Sequence, residues 1–147
     1  MNFIQEQYLN DLSICDDLID WFHSNKDHHH DGVIGRNSKA VVDLSSKSST
    51  DFSFYTNDYL NHNSCNGEEI INRYINELQH ILELYLISYS FSSQTSSFSI
   101  NEKVNIQHYK PYGGYKVFHS ERGTLSSSLR HLVFQTYLNT VEDGGET

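Results

Sequence analysis

The chain has 147 residues, a length that suits one domain, and Leu, Ile, Val and Phe together make up about 27% of it, low for a globular protein but above the range of disordered chains. Ten Lys and Arg against 19 Asp and Glu leave a formal charge of −9 with His neutral, which repels a polyanion and excludes general nucleic-acid binding. Two cysteines without CxxC spacing or a disulfide framework fit a reducing cytoplasm, the N-terminus lacks the basic start and apolar run of a signal peptide, and the uncharged stretch 84–101 carries seven serines, too polar for a membrane span.

Residues 13–25 read as the first helix. Ser13 with Asp16 three residues on forms a capping-box pattern, and Ile14, Leu18 and Phe22 lie along one face. Cys15 lies on that pattern as a small core residue. A polar loop with His28-His29-His30 follows, read as solvated, then a short strand over 39–44 and a Ser/Lys/Thr-rich run over 45–51. A second helix is predicted from about 66 to 85, capped by Asn66 with Glu69, with Ile71, Ile75, Leu78, Leu82 and Tyr85 at helical spacing. The serine-rich tract 88–99 fits either a loop or an irregular strand. Strands are predicted over 104–109, 115–121 and 132–138, with Val117, His119 and Glu121 on one face of the middle one, and Gly144-Gly145 reads as a turn. Helices followed by strands give an α+β class.

His119-Ser120-Glu121 is the strongest candidate for chemistry. A His and a carboxylate at i and i+2 of a strand project to one side, so both reach one metal ion. Two His and one carboxylate on one face of iron leave the other positions open for co-substrate and oxygen. His29-His30-Asp31 has the same spacing, so spacing alone does not choose between the two.

The surroundings of His119 choose. Tyr109, the turn Lys110-Pro111-Tyr112-Gly113-Gly114, Tyr115, His119-Ser120-Glu121, Arg130, Tyr137-Leu138-Asn139 and Gly144-Gly145-Glu146-Thr147 follow in order. This series closely resembles the iron(II)/2-oxoglutarate dioxygenases of the prolyl 4-hydroxylase type over residues 106–147. The stretch Gly32…Val42-Asp43…Lys47…Thr50-Asp51 fits the leading region of that family more loosely.

The resemblance implies that His119 and Glu121 ligate Fe(II), that the hydroxyls of Tyr109 and Thr147 bind 2-oxoglutarate, and that Tyr115 and Arg130 face a peptide substrate, with ascorbate as reductant. The chemistry is consistent: a planar guanidinium holds backbone carbonyls, and a tyrosine ring offers a proline-like residue a flat apolar face. The implied fold is a double-stranded β-helix (jelly-roll, cupin-like) with N-terminal supporting helices. Residues 1–147 would form a single dioxygenase domain, incomplete at its C-terminal end. Glu121 stands where the family usually has Asp, one C–C bond (roughly 1.5 Å) longer but still anionic. The family's distal His and its Lys or Arg for the far carboxylate of 2-oxoglutarate fall after the Gly-Gly-Glu-Thr segment, so a longer polypeptide or a second chain completing the sheet is expected to supply them. The expected substrate is a prolyl residue of a peptide or protein, with a free amino acid as the variant. No nucleic-acid or membrane partner is expected. The rivals are a catalytically inactive fragment or a β-sandwich binding module, and a nucleobase-repair dioxygenase, which the −9 charge opposes.

Overall fold

A computed structural model describes residues 3–36, 39–60, 67–94, 96–125 and 127–145. It is α+β, with small antiparallel sheets and no closed barrel among the described residues. No described helix is long and apolar enough to cross a membrane. The chain divides into two compact units, Met1–Trp21 with Tyr55–Lys103 and Phe22–Phe54 with Val104–Thr147.

The first unit is helical. Helix α1 (Ser13–Ser24) begins as the apolar spacing predicts, but its cap is Asp11 rather than a Ser13/Asp16 box. Asp11 Oδ1 accepts from the Ser13 amide (3.0 Å) and hydroxyl (2.6 Å), and those two bonds with Arg73 pull its pKa below the ordinary carboxylate value. Ile14, Leu18 and Trp21 form the buried stripe, and Cys15 is half-buried. The short helix α2 (Asn57–Leu60) and the long α3 (Glu68–Ser88) complete the unit. In α3 the buried positions are Ile71, Tyr74 and Leu78, with Glu68 and Glu69 favourably placed in the first turn. Gly67 precedes it at φ 153°, and a Cβ there would lie 2.8 Å from the Trp21 ring, so both backbone and packing call for glycine. Asn66, expected as the cap, lies outside the described residues. Arg73 on α3 donates to Asp17 and Asp11, each at 2.6 Å. The serine-rich tract holds one short 3₁₀ turn, Ser90–Ser93.

The second unit is built on strand β5 (Thr50–Phe54), which lies between β1 (His30–Asp31) and β6 (Val104–His108), both antiparallel to it. Phe52 faces Ile106 across the ladder, and Phe54 faces Val104. Strands β2 (Ile34–Arg36) and β3 (Lys39–Val41) form a hairpin, and β4 (Lys47–Ser48) pairs with β7 (Gly114–Tyr115). The three-His segment is not simply a solvated loop. His29 stacks on Phe22 (centroids 4.0 Å) and donates from Nε2 to the Phe22 carbonyl at 2.8 Å, while His30 belongs to β1.

Two predicted strands do not form. Of residues 115–121 only Tyr115 belongs to a strand, and 132–138 contains none. A strand needs a neighbour for its amides and carbonyls. Strand β4 offers two paired residues, the Lys116 amide still reaches the Ser46 carbonyl (2.7 Å), and Phe118 beyond it is fully exposed. Gly144 and Gly145 adopt φ of 83° and 84°, the left-handed geometry that a glycine turn supplies.

Candidate metal centre

The turn after β6 aims the site. The Gly113 amide donates to the Lys110 carbonyl at 2.7 Å, closing a four-residue turn in which Pro111 pre-sets φ and Tyr112 takes φ 65°. A Cβ on Gly113 would lie 2.8 Å from the carbonyls of both Lys110 and Ser48, so the turn packs directly against β4. Tyr115 then pairs in register with Lys47.

From Tyr115 onward the side chains converge. The Tyr115 and His119 rings stack at 4.0 Å and 9°. His119 Nδ1 lies 3.2 Å from the Val117 carbonyl, and Nε2 lies 3.2 Å from Glu121 Oε1. Arg130 Nη1 donates to Glu121 Oε2 (2.7 Å) and to the Glu121 carbonyl (2.9 Å). His119 and Glu121 therefore meet, but on an open surface and in an irregular segment that bends at Val117 and turns at Glu121 rather than on the expected strand. Their side chains are 40% and 46% exposed.

His119 Nε2 and Glu121 Oε1 stand at hydrogen-bond distance, so the two side chains are partners of each other, and Arg130 holds the second Glu121 oxygen. No group of three His, Cys, Asp or Glu residues that could hold a metal is present among the described residues. In the competing pair, His29 Nε2 is committed to the Phe22 carbonyl.

Tyr109 donates its hydroxyl to Gln107 Oε1 at 2.6 Å. Burial first, then the negative Asp51, pushes its phenol pKa up, with a Ser49 hydrogen bond opposing, so Tyr109 is a neutral O–H donor at neutral pH. Burial and Glu121 do the same to Tyr115. Arg130, read from the sequence as a substrate contact, has its guanidinium on Glu121. Thr147 lies outside the described residues.

The sequence marked Lys47 and Asp51 only as part of a loosely matching stretch, and the structure buries them in a polar cluster in the same unit. Lys47 Nζ donates to Asp51 Oδ2 (2.7 Å), Ser49 Oγ to Asp51 Oδ1 (2.6 Å) and Asn105 Nδ2 to Asp51 Oδ2 (2.9 Å). The available signal was Lys47-x-Ser49-x-Asp51, whose period of two puts all three on one side of an extended chain. Set against protein-family models, curated proteins and solved structures, the chain matches none of them.

Proposed function

We propose that this chain is the metal-binding part of an Fe(II)- and 2-oxoglutarate-dependent dioxygenase that hydroxylates a C–H bond of a prolyl residue in a peptide or protein. The observation that carries the reading is the ordered motif series over residues 106–147, within which His119 and Glu121 lie side by side. Fe(II), 2-oxoglutarate and O₂, when bound, would supply the oxidising power: one atom of O₂ goes into succinate as 2-oxoglutarate loses CO₂, and the other into the hydroxylated C–H bond.

The protein's own residues bind and orient. His119 Nε2 and Glu121 Oε1 would be the donor atoms offered to the metal, and Arg130 holds Glu121 Oε2. Tyr109 and Thr147 donate hydroxyl hydrogens to the co-substrate, and the Tyr115 ring faces the peptide. The protein works in the cytoplasm with ascorbate as reductant.

The test is succinate formation from 2-oxoglutarate by the purified protein with Fe(II), O₂ and ascorbate, with and without proline-rich peptides. Peptide-stimulated succinate that disappears in His119→Ala is the expected result. No Fe(II)-dependent succinate under either condition would leave an inactive fragment or a binding module.

A further inference from the structure

Helix α3 changes character along its length. Its first half buries Ile71, Tyr74 and Leu78. Its second half is more apolar, with six apolar residues in the seven of 81–87, yet among the described residues 81–91 none is buried. A helix that is apolar all round is normally one with protein on every side. The segment before α1 extends this face instead of covering it. The Tyr85 hydroxyl donates to the Phe3 carbonyl at 3.1 Å, and the Phe3 and Tyr85 rings lie 5.6 and 4.6 Å from the Tyr89 ring. So anchored, Phe3 and Ile4 remain 64% and 74% exposed, and two residues to either side of Tyr89, Ile87 and Phe91 are each 79% exposed. An exposed apolar surface of this kind marks an interaction site.

Charge says what kind of partner fits. The unit that holds this face, Met1–Trp21 with Tyr55–Lys103, carries 11 of the 19 acidic residues and only Arg73 and Lys103 among the ten basic ones, so the formal −9 of the chain lies entirely on it. Both cations are engaged, Arg73 by Asp11 and Asp17, and Lys103 over the Tyr55 ring at 5.4 Å. Two exposed acids stand beside the apolar residues. Glu83, which accepts from Gln79 at 3.1 Å, lies one helical turn before Ile87, and Glu6 follows Ile4 by two residues. A second copy of the chain would bring like charge to like, and so would an anionic membrane. We propose that the end of α3 and the segment 3–8 dock an amphipathic segment of another protein, whose apolar side chains cover Ile87 and Phe91 and whose Lys or Arg residues pair with Glu83 and Glu6. This docking face belongs to the first unit alone and is independent of the function proposed above.

Fluorescence anisotropy of two labelled synthetic helical peptides, one of Leu and Lys and one of Leu and Glu in the same apolar pattern, tests this on the full chain. The Leu/Lys peptide is expected to bind and the Leu/Glu peptide not. Ile87→Ala with Phe91→Ala should lower the affinity about tenfold or more, as truncation of apolar anchors does. Glu6→Gln with Glu83→Gln should lower it a few-fold, with a larger loss at low salt. Asp31→Asn, at an exposed acid of the second unit, should change nothing. If the double alanine variant does not fold, Ile87→Ala alone, at an exposed position outside the core, should weaken binding in its place. Equal binding of the two peptides, no binding of the Leu/Lys peptide, an equal loss in Asp31→Asn, or alanine variants that bind as tightly as wild type would overturn the proposal. A dimer in sedimentation equilibrium that is broken by Ile87→Ala with Phe91→Ala would give the face to a second copy and overturn it as well.

Discussion

Removal of the Asp51 carboxylate is the sharpest perturbation of the second unit. In Asp51→Ala the Lys47 ammonium, 3% exposed, loses its ion-pair partner inside the protein, and Ser49 and Asn105 lose an acceptor. Breaking a buried pair by deleting one member costs about 3–5 kcal/mol, chiefly the penalty of the stranded charge. Asn105 is exposed and rehydrates, so its lost bond adds little. In a chain of this size each kcal/mol moves the thermal midpoint by about 2–4 °C, so a fall of roughly 10 °C is expected. Thermal unfolding by circular dichroism gives the midpoint, and amide exchange along β5 and β6 locates the loss. Lys47→Met with Asp51→Asn should cost much less, because no charge is stranded. A midpoint for Asp51→Ala within about 2 °C of wild type, under ~1 kcal/mol, would refute the burial and pairing on which the estimate stands.

Ile71→Ala, at a position with no exposed surface, should cost about 2–5 kcal/mol in urea unfolding, against less than about 0.5 kcal/mol for Ile87→Ala on the same helix, where the side chain is 79% exposed. Asp43 accepts from Ser45, Ser46 and Arg36, and the Ser45 bond above all lowers its pKa from 3.8 to about 2. Because the folded value is the depressed one, the contribution of this turn is complete above pH 3.8 and disappears as pH falls through about 2. The Asp43 carboxyl carbon followed by NMR should titrate near that value, and a midpoint near 3.8 would mean that the turn does not hold it. On the proposed function, Arg130→Ala frees the Glu121 carboxylate, so peptide hydroxylation and uncoupled 2-oxoglutarate consumption should fall together. Selective loss of the peptide reaction would return Arg130 to the substrate contact that its sequence position implies.

Helices α1 and α3 were legible because their apolar residues repeat at helical spacing and bury the positions that the pattern marks, Ile14 and Leu18 in one and Ile71 and Leu78 in the other. The central strand β5 was not. Its approach, residues 45–51, reads as a polar run because Lys47, Ser49 and Asp51 are buried by satisfying one another, a pairing that hydropathy does not register. The opposite error arose over 115–121 and 132–138, where alternation and β-rich composition mark strands but no neighbouring ladder receives them among the described residues. The contact between His119 and Glu121 forms where the chain bends at Val117 and turns at Glu121, so strand alternation is not what produces it. Arg130 on Glu121 depends on the return of the chain nine residues later, which local spacing does not encode.

An anaerobic Fe(II) titration of the purified chain, compared among wild type, His119→Ala, Glu121→Ala and His29→Ala, tests the central claim most directly. The account predicts a single Fe(II) site that is lost in His119→Ala and Glu121→Ala and unchanged in His29→Ala. Binding that survives both of the first two substitutions, or that disappears with His29, would contradict it.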